Sequence, residues 1–287
     1  MLTVLFDGVA SGTLLFVLAV GLSVTLGLMN FVNLAHGAFA MLGGYCCVML
    51  LNRAGVPFLA CLPAAFLVSA LAGLVLERTL YVRLYRASHL DQVLFSIGLV
   101  FAAMAAADYF MGSQQQIIQL PAFLGGQLHV APGFDIGVYR LFLIGSCGAI
   151  AAALHVLLRR TRFGSRLRAA VDNARVARGL GIDVDRIFAL TFAAGSGLAG
   201  LGGALGVDIL GLDPNFPIKF MVYFLIVVAV GGTGTVLGPL AAALVLGVCD
   251  VAGKYYVPEV GAFVIYTVMV ATLVWRPQGL FGRVTAR

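Results

Sequence analysis

Several residue groups in this chain are of types that chemistry uses, and their spacing disposes of most of them. Gly195-Ser196-Gly197-Leu198-Ala199-Gly200 matches the glycine fingerprint of dinucleotide sites letter by letter. That fingerprint works only between a strand and a helix, with an acidic residue downstream for the ribose. Here it sits inside an apolar run, so it reads as a helix-packing surface. His36, His89, His129 and His155 stand apart without zinc-type spacing, and no metal site is expected. Cys46, Cys47, Cys61, Cys147 and Cys249 lie in apolar segments and read as small buried hydrophobes. No phosphate-binding P-loop occurs and no Ser-His-Asp set can be proposed, so the chain is expected to be no enzyme and to carry no cofactor. A membrane-embedded enzyme stays as the alternative from a different class. Asp108, Asp208 and Asp250 fall near the ends of apolar segments, within reach of headgroups or water. A proton-coupled carrier would want a carboxylate near mid-membrane, and none is found.

Two interruptions of apolar sequence remain. The first runs from Met29 to Gly37 and contains Asn30, Asn33, His36 and Gly37; the second runs from Gly231 to Pro239 and contains Gly232, Thr233, Gly234 and Thr235. Glycine, and side chains that compete for backbone hydrogen bonds, disfavour an unbroken helix. Irregular backbone survives at membrane depth only where protein covers it or water fills a cavity. One interruption in each half of the chain points to a transport path built from discontinuous helices. Each also has a plainer reading. The first would be a tight cytoplasmic turn with Asn33 capping the next helix, the second a close-packing glycine surface.

The elements that must hold these breaks are membrane helices. The chain has 287 residues, 61% apolar and only 10% charged, with a mean hydropathy of +1.04. That is too little charge to coat a soluble domain. Runs of roughly 18 or more apolar residues mark spans, and Gly8–Met29 and Pro57–Leu76 are such runs. Further apolar stretches cover 34–51, 93–110, 141–158, 187–212, 220–230, 236–249 and 260–275. No stretch alternates with period two, so helices are the expected spans. The whole chain, 1–287, reads as a single transmembrane domain: an all-α polytopic membrane helix bundle of eight or nine segments, some of them re-entrant or broken. The first basic residue is Arg53, so the first run is expected to be a retained helix rather than a cleaved signal. Pairs of glycines four apart, such as Gly8 and Gly12 or Gly202 and Gly206, suit close helix packing.

Charge sets the orientation. Of 18 Lys and Arg, 14 fall in the connection 78–86, the connection 159–186 and the tail from Arg276. These three places alternate with connections holding single basic residues, as a two-sided topology requires. The positive-inside rule puts the crowded side, and with it the C-terminus, in the cytoplasm. The net charge of +6 follows from this asymmetry, and no nucleic-acid partner is expected.

The segment 159–186 is too charged for lipid and too long for a tight turn. Its middle, Leu167 to Leu180, reads as a short amphipathic helix with Leu167, Val171, Ala174 and Arg178 on one stripe. Asp172 or Asn173 is placed to cap a second helical piece, and Gly181 to end it. This would be a cytoplasmic helix along the membrane, offering a knob to a partner or a basic face to anionic lipid.

Gly164, Arg168-Ala169, Asp172-Asn173, Ala177 and Leu180-Gly181-Ile182-Asp183 resemble the ATPase-coupling loop of the branched-chain amino acid ABC permeases. Gly21-Leu22 through Gly27, then Asn33-Leu34-Ala35-His36-Gly37 and Met41-Leu42-Gly43-Gly44-Tyr45, resemble the family's N-terminal signature. Gly231-Gly232-Thr233-Gly234-Thr235, with Thr235 where Ser is usual, and Trp275-Arg276-Pro277-Gln278-Gly279-Leu280-Phe281-Gly282 resemble its C-terminal ones. Order and spacing agree over nearly the whole chain, which most resembles the shorter, LivH-type subunit. The resemblance implies a permease of the bacterial inner membrane that works with a second homologous permease. Two cytoplasmic ABC ATPases and a periplasmic substrate-binding protein would complete the importer. It also implies that Arg168, Asp172, Asn173, Ala177, Gly181 and Ile182 belong to the coupling loop. The expected cargo is branched-chain amino acids. Urea or short amides are the alternative within ABC permeases, and a secondary carrier or channel is the alternative outside them.

Overall fold

The computed structural model describes residues 1–29, 31, 33–85, 87–131, 134–232 and 236–281. Among the described residues nine apolar helices stand where the apolar runs do, and six of them are long enough to cross a membrane. In chain order these nine are α1 (Leu2–Met29), α2 (His36–Asn52), α3 (Phe58–Leu76), α5 (His89–Met111), α6 (Val138–Arg160), α9 (Val184–Leu210), α10 (Phe216–Gly231), α11 (Leu237–Tyr256) and α12 (Gly261–Trp275). The three shorter ones are α2, α10 and α12. Two of the three, α2 and α10, border the sequence breaks.

Two features depart from the sequence reading, and a third sharpens it. The third helix does not stop at Leu76. It runs on through a π-turn (Glu77–Tyr81) into α4 (Val82–Leu84), because Glu77 and Tyr81 bury themselves instead of marking an exit into water. A β-hairpin, β1 (Gln127–Ala131) with β2 (Phe134–Gly137), joins α5 to α6, pairing Leu128 with Ile136. Its strands are too short to carry a periodicity signal. The stripe from Leu167 to Leu180 is two helices, α7 (Arg162–Asp172) and α8 (Ala174–Gly179), broken at Asn173. The end of the bundle bearing α7 and α8 is the arginine face, and the other end is the hairpin face.

Burial ranks the helices. In α1 and α9, 78% of the apolar stretch is covered by protein, against 17% in α5, so the first two form the centre. α9 touches α1, α2 and α3 through glycines. A Cβ on Gly43 of α2 would strike the backbone of Gly200, one on Gly203 would strike Ala40, and one on Gly21 of α1 would strike the Gly195 carbonyl. The sequence that mimics a dinucleotide fingerprint is therefore a ridge where backbones meet, as the membrane setting predicts. α1 packs along its other side on α11, where an added Cβ at Gly8 would come within 2.6 Å of the Val248 Cα. Between these backbone contacts Tyr139 of α6 donates to the Leu205 carbonyl at 2.6 Å, and Ser69 of α3 to the Phe39 carbonyl at 3.2 Å. Both hydroxyls thus find carbonyl partners in a setting without water.

Candidate functional site

The first break folds back to membrane depth. His36 opens α2, and its Nε2 lies 2.8 Å from the Leu18 carbonyl. A carbonyl can only accept, so that nitrogen carries the proton. Leu18 sits eleven residues before the end of α1, about 16 Å along the helix axis. The chain leaving α1 therefore returns well into the bundle before α2 begins. Phe31, Asn33 and Ala35 on the way are all buried. Asn33 does not cap α2, whose cap position is Ala35; instead its Oδ1 accepts from the Ala35 N–H at 3.1 Å and from the Tyr81 hydroxyl at 3.0 Å. Gly37 is pressed on the first turn of α10, since a Cβ there would come within 2.9 Å of the Pro217 Cα. Phe224 of α10 packs edge-on to the His36 ring at 6.1 Å. Asn30 lies outside the described residues.

The second break stands at the other end of α10. Gly232 ends that helix with φ of 79°, a left-handed conformation open to glycine, and its N–H still reaches the Val228 carbonyl. Thr233, Gly234 and Thr235 lie outside the described residues. The C-terminal signature lies over this break. The Leu280 N–H donates to the Val230 carbonyl at 2.7 Å, and a Cβ on Gly279 would sit 2.6 Å from the Ala229 carbonyl oxygen. Two signatures over forty residues apart in sequence thus form one structure. α10 connects the breaks, with its first turn on Gly37 and its last on Gly232.

At the arginine face α7 and α8 form a small module with its own core. Ala170, Ala177 and Val184 are buried there, with Ala174, Ile182 and Phe188 packed around them. Asn173 caps α8, its Oδ1 accepting from the Arg175 and Val176 N–H groups at 3.1 Å each. Gly181 takes φ of 79° to turn the chain, and the Ile182 N–H returns to the Ala177 carbonyl at 3.0 Å. Of the six residues singled out for the loop, Asn173, Ala177, Gly181 and Ile182 therefore build the module. Asp172 is exposed at the end of α7. Arg168 reaches back to the Leu158 carbonyl, and a Cβ on Gly164 would strike that same carbonyl, so these two fix the elbow between α6 and α7. Beside its arginines the module presents two large apolar residues outward, Val176, 56% exposed, and Leu180, 76% exposed.

An apolar cleft of about 770 Å³ opens between α2, α3 and α5, with Phe39, Tyr45, Leu76 and Leu99 among its walls and Arg53 bordering it. The lining of this cleft on α2 begins at Ala38, one residue after the first break. Asp108 and Asp208 are exposed. Asp250 corrects its sequence reading: it is buried within α11 and held by Lys254 at 2.6 Å. A second buried carboxyl, Glu77, escaped notice because it follows an apolar run directly and looked like its polar end.

A model of the family described as the permease component of the branched-chain amino acid transport system matches residues 4–273. The chain is similar to the high-affinity branched-chain amino acid transport permease LivH of Salmonella typhimurium, 26% identical over 97% of this chain and 94% of the relative. It is similar to the corresponding BraD of Pseudomonas aeruginosa at 24%, over 97% and 95%. LivM of Salmonella typhimurium also matches, at 27% over 95% of this chain and 69% of the relative. No solved structure matches the chain.

Proposed function

The chain belongs to the family of branched-chain amino acid transport permease components, and from that premise we propose that it is the membrane-spanning, LivH-type subunit of an ATP-driven importer for branched-chain amino acids. The match across residues 4–273 carries this reading. In it the arginine face is cytoplasmic, which also puts the C-terminus on the cytoplasmic side of the bacterial inner membrane. A second, LivM-like permease completes the pathway, two ATPases dock below, and a periplasmic protein delivers the substrate.

The mechanism is alternating access. ATP-driven closure of the ATPases pushes on the α7–α8 module, whose Val176 and Leu180 provide an apolar contact. The module is fixed to α6 by Arg168 and to α9 by the Arg178–Asp185 pair at 2.8 Å, so its displacement moves two helices. Asn30, Asn33, His36 and Gly37 at one end of α10, and Gly232, Thr233, Gly234 and Thr235 at the other, serve as hinges or path lining. Selectivity rests largely with the binding protein.

Affinity purification from the native membrane in mild detergent tests the assembly. Recovery of two ATPases and a second permease supports it. A chain that purifies alone, with its partners demonstrably expressed, removes the ABC reading in favour of a secondary carrier. With the complex in hand, Asp172→Arg is expected to separate ATP hydrolysis from leucine uptake. Uptake of urea in place of leucine would reassign the cargo.

A further inference from the structure

The π-turn at the end of α3 has no assigned role, and three observations meet there. First, the turn is stapled across its length. The Val82 N–H bonds to the Glu77 carbonyl five residues back, and the Tyr85 hydroxyl donates to Glu77 Oε1 at 2.9 Å, bridging eight residues. Burial, and then the Glu77 carboxyl, push the Tyr85 phenol above its ordinary range, so it stays a donor. Second, Tyr81 inside the turn is fully buried, and its hydroxyl is the one that holds Asn33 of the first break. Third, aromatic rings join this turn to the coupling module. Phe188, packed on the module's core, lies 6.1 Å from Tyr85, and Tyr85 lies 5.6 Å from Phe31 in the break. Tyr81 in turn stands 4.7 Å from Phe192 of α9 and 5.2 Å from Phe31.

A π-turn is an α-helix with one residue too many, which makes it able to change register at low cost and explains its frequency at functional sites. Each helical residue advances the direction of side chains by about 100°. If the turn tightened to α, its last residue Tyr81 and the chain beyond would rotate against α3, taking Tyr81 away from Asn33. A shift of α9 at Phe188 acts on Tyr85, the outer end of the staple.

We propose that Glu77, Tyr81 and Tyr85 are positioning residues that carry displacement of the coupling module to the first break, with the π-turn as the element that switches. The proposal rests on the ABC-importer reading for what the movement accomplishes. The physical link rests on the contacts themselves.

In the reconstituted complex the measure is leucine taken up per ATP hydrolysed. Tyr81→Phe keeps the ring and deletes only the hydroxyl that holds Asn33. It is expected to lower that ratio about fivefold or more while ATP hydrolysis and the thermal midpoint stay close to those of the parent. Tyr85→Phe, which opens the staple, is expected to do the same. An unchanged ratio in both variants overturns the proposal, and so does a fall in uptake, hydrolysis and thermal midpoint together, which marks a structural role only. A parent complex that lacks ATPases removes the ABC-importer reading instead. The relay is then read on the chain alone in lipid nanodiscs, by deuterium exchange of amides 33–38. Asp185→Ala, which releases Arg178 in the module, is expected to speed that exchange, and no change there overturns the relay.

Discussion

Glycine does at the centre of this molecule what large apolar side chains do in a soluble core. Lipid tails are as apolar as leucine, so helices associate through close backbone contact rather than by escaping water. Gly43 faces Gly200 so closely that no side chain fits between them. Gly43→Val is therefore expected to force α2 from α9 and destabilise the fold by about 1–3 kcal/mol. A thermal midpoint in detergent equal to that of the parent would mean the helices re-space freely. The glycine spacing was legible in the sequence, because four-residue periodicity on a helix needs no knowledge of the partner. The role of Asn33 was not. Its spacing from the next helix suggested a cap, while its actual partner, Tyr81, lies 48 residues away and becomes visible only once α3 is placed.

The α7–α8 module was the best-read element. Asn173 and Gly181 carry local signals, a cap and a left-handed turn, that act over three or four residues and survive any tertiary context. Asn173→Ala removes two accepted N–H bonds and is expected to cost α8 about 1 kcal/mol. Faster proteolysis or amide exchange confined to residues 174–180 would register that loss; uniform protection there would show that the module's apolar core alone holds α8. The π-turn and the β-hairpin were illegible for the opposite reason. Glu77 in sequence looks like the polar end of a span, and only its burial, in a turn packed on α9 and with the Tyr85 hydroxyl on its carboxyl, turns it into part of the helix. The hairpin is fixed by its place between α5 and α6 and not by its own short strands.

At the scale of the molecule, the nine apolar runs correspond to nine helices among the described residues, while their ranking into centre and periphery emerged only from packing. α3 is at least as apolar as α1, yet it is far more exposed. The proposed orientation rests on arginine placement and is directly measurable in right-side-out vesicles. Gln114→Cys is expected to react with an impermeant maleimide added outside, and Arg175→Cys only after the membrane is opened. The reverse pattern would invert the topology and put the α7–α8 module beyond reach of any cytoplasmic ATPase. The native cysteines are buried or half-buried, which keeps the background low.

The contact between α1 and α11 bears on how the molecule comes into being. Gly8 and Gly12 are made well before Val248 and Gly247, which cover them and follow more than 230 positions later. At ordinary rates of synthesis, about 5–20 residues per second, the nascent first helix waits roughly ten to fifty seconds with its glycine face against lipid. During that interval it is a half-finished surface open to any small-residue helix nearby. A ribosome that stalls after α10 would leave a product with its central seam unsealed, a natural mark for membrane quality control.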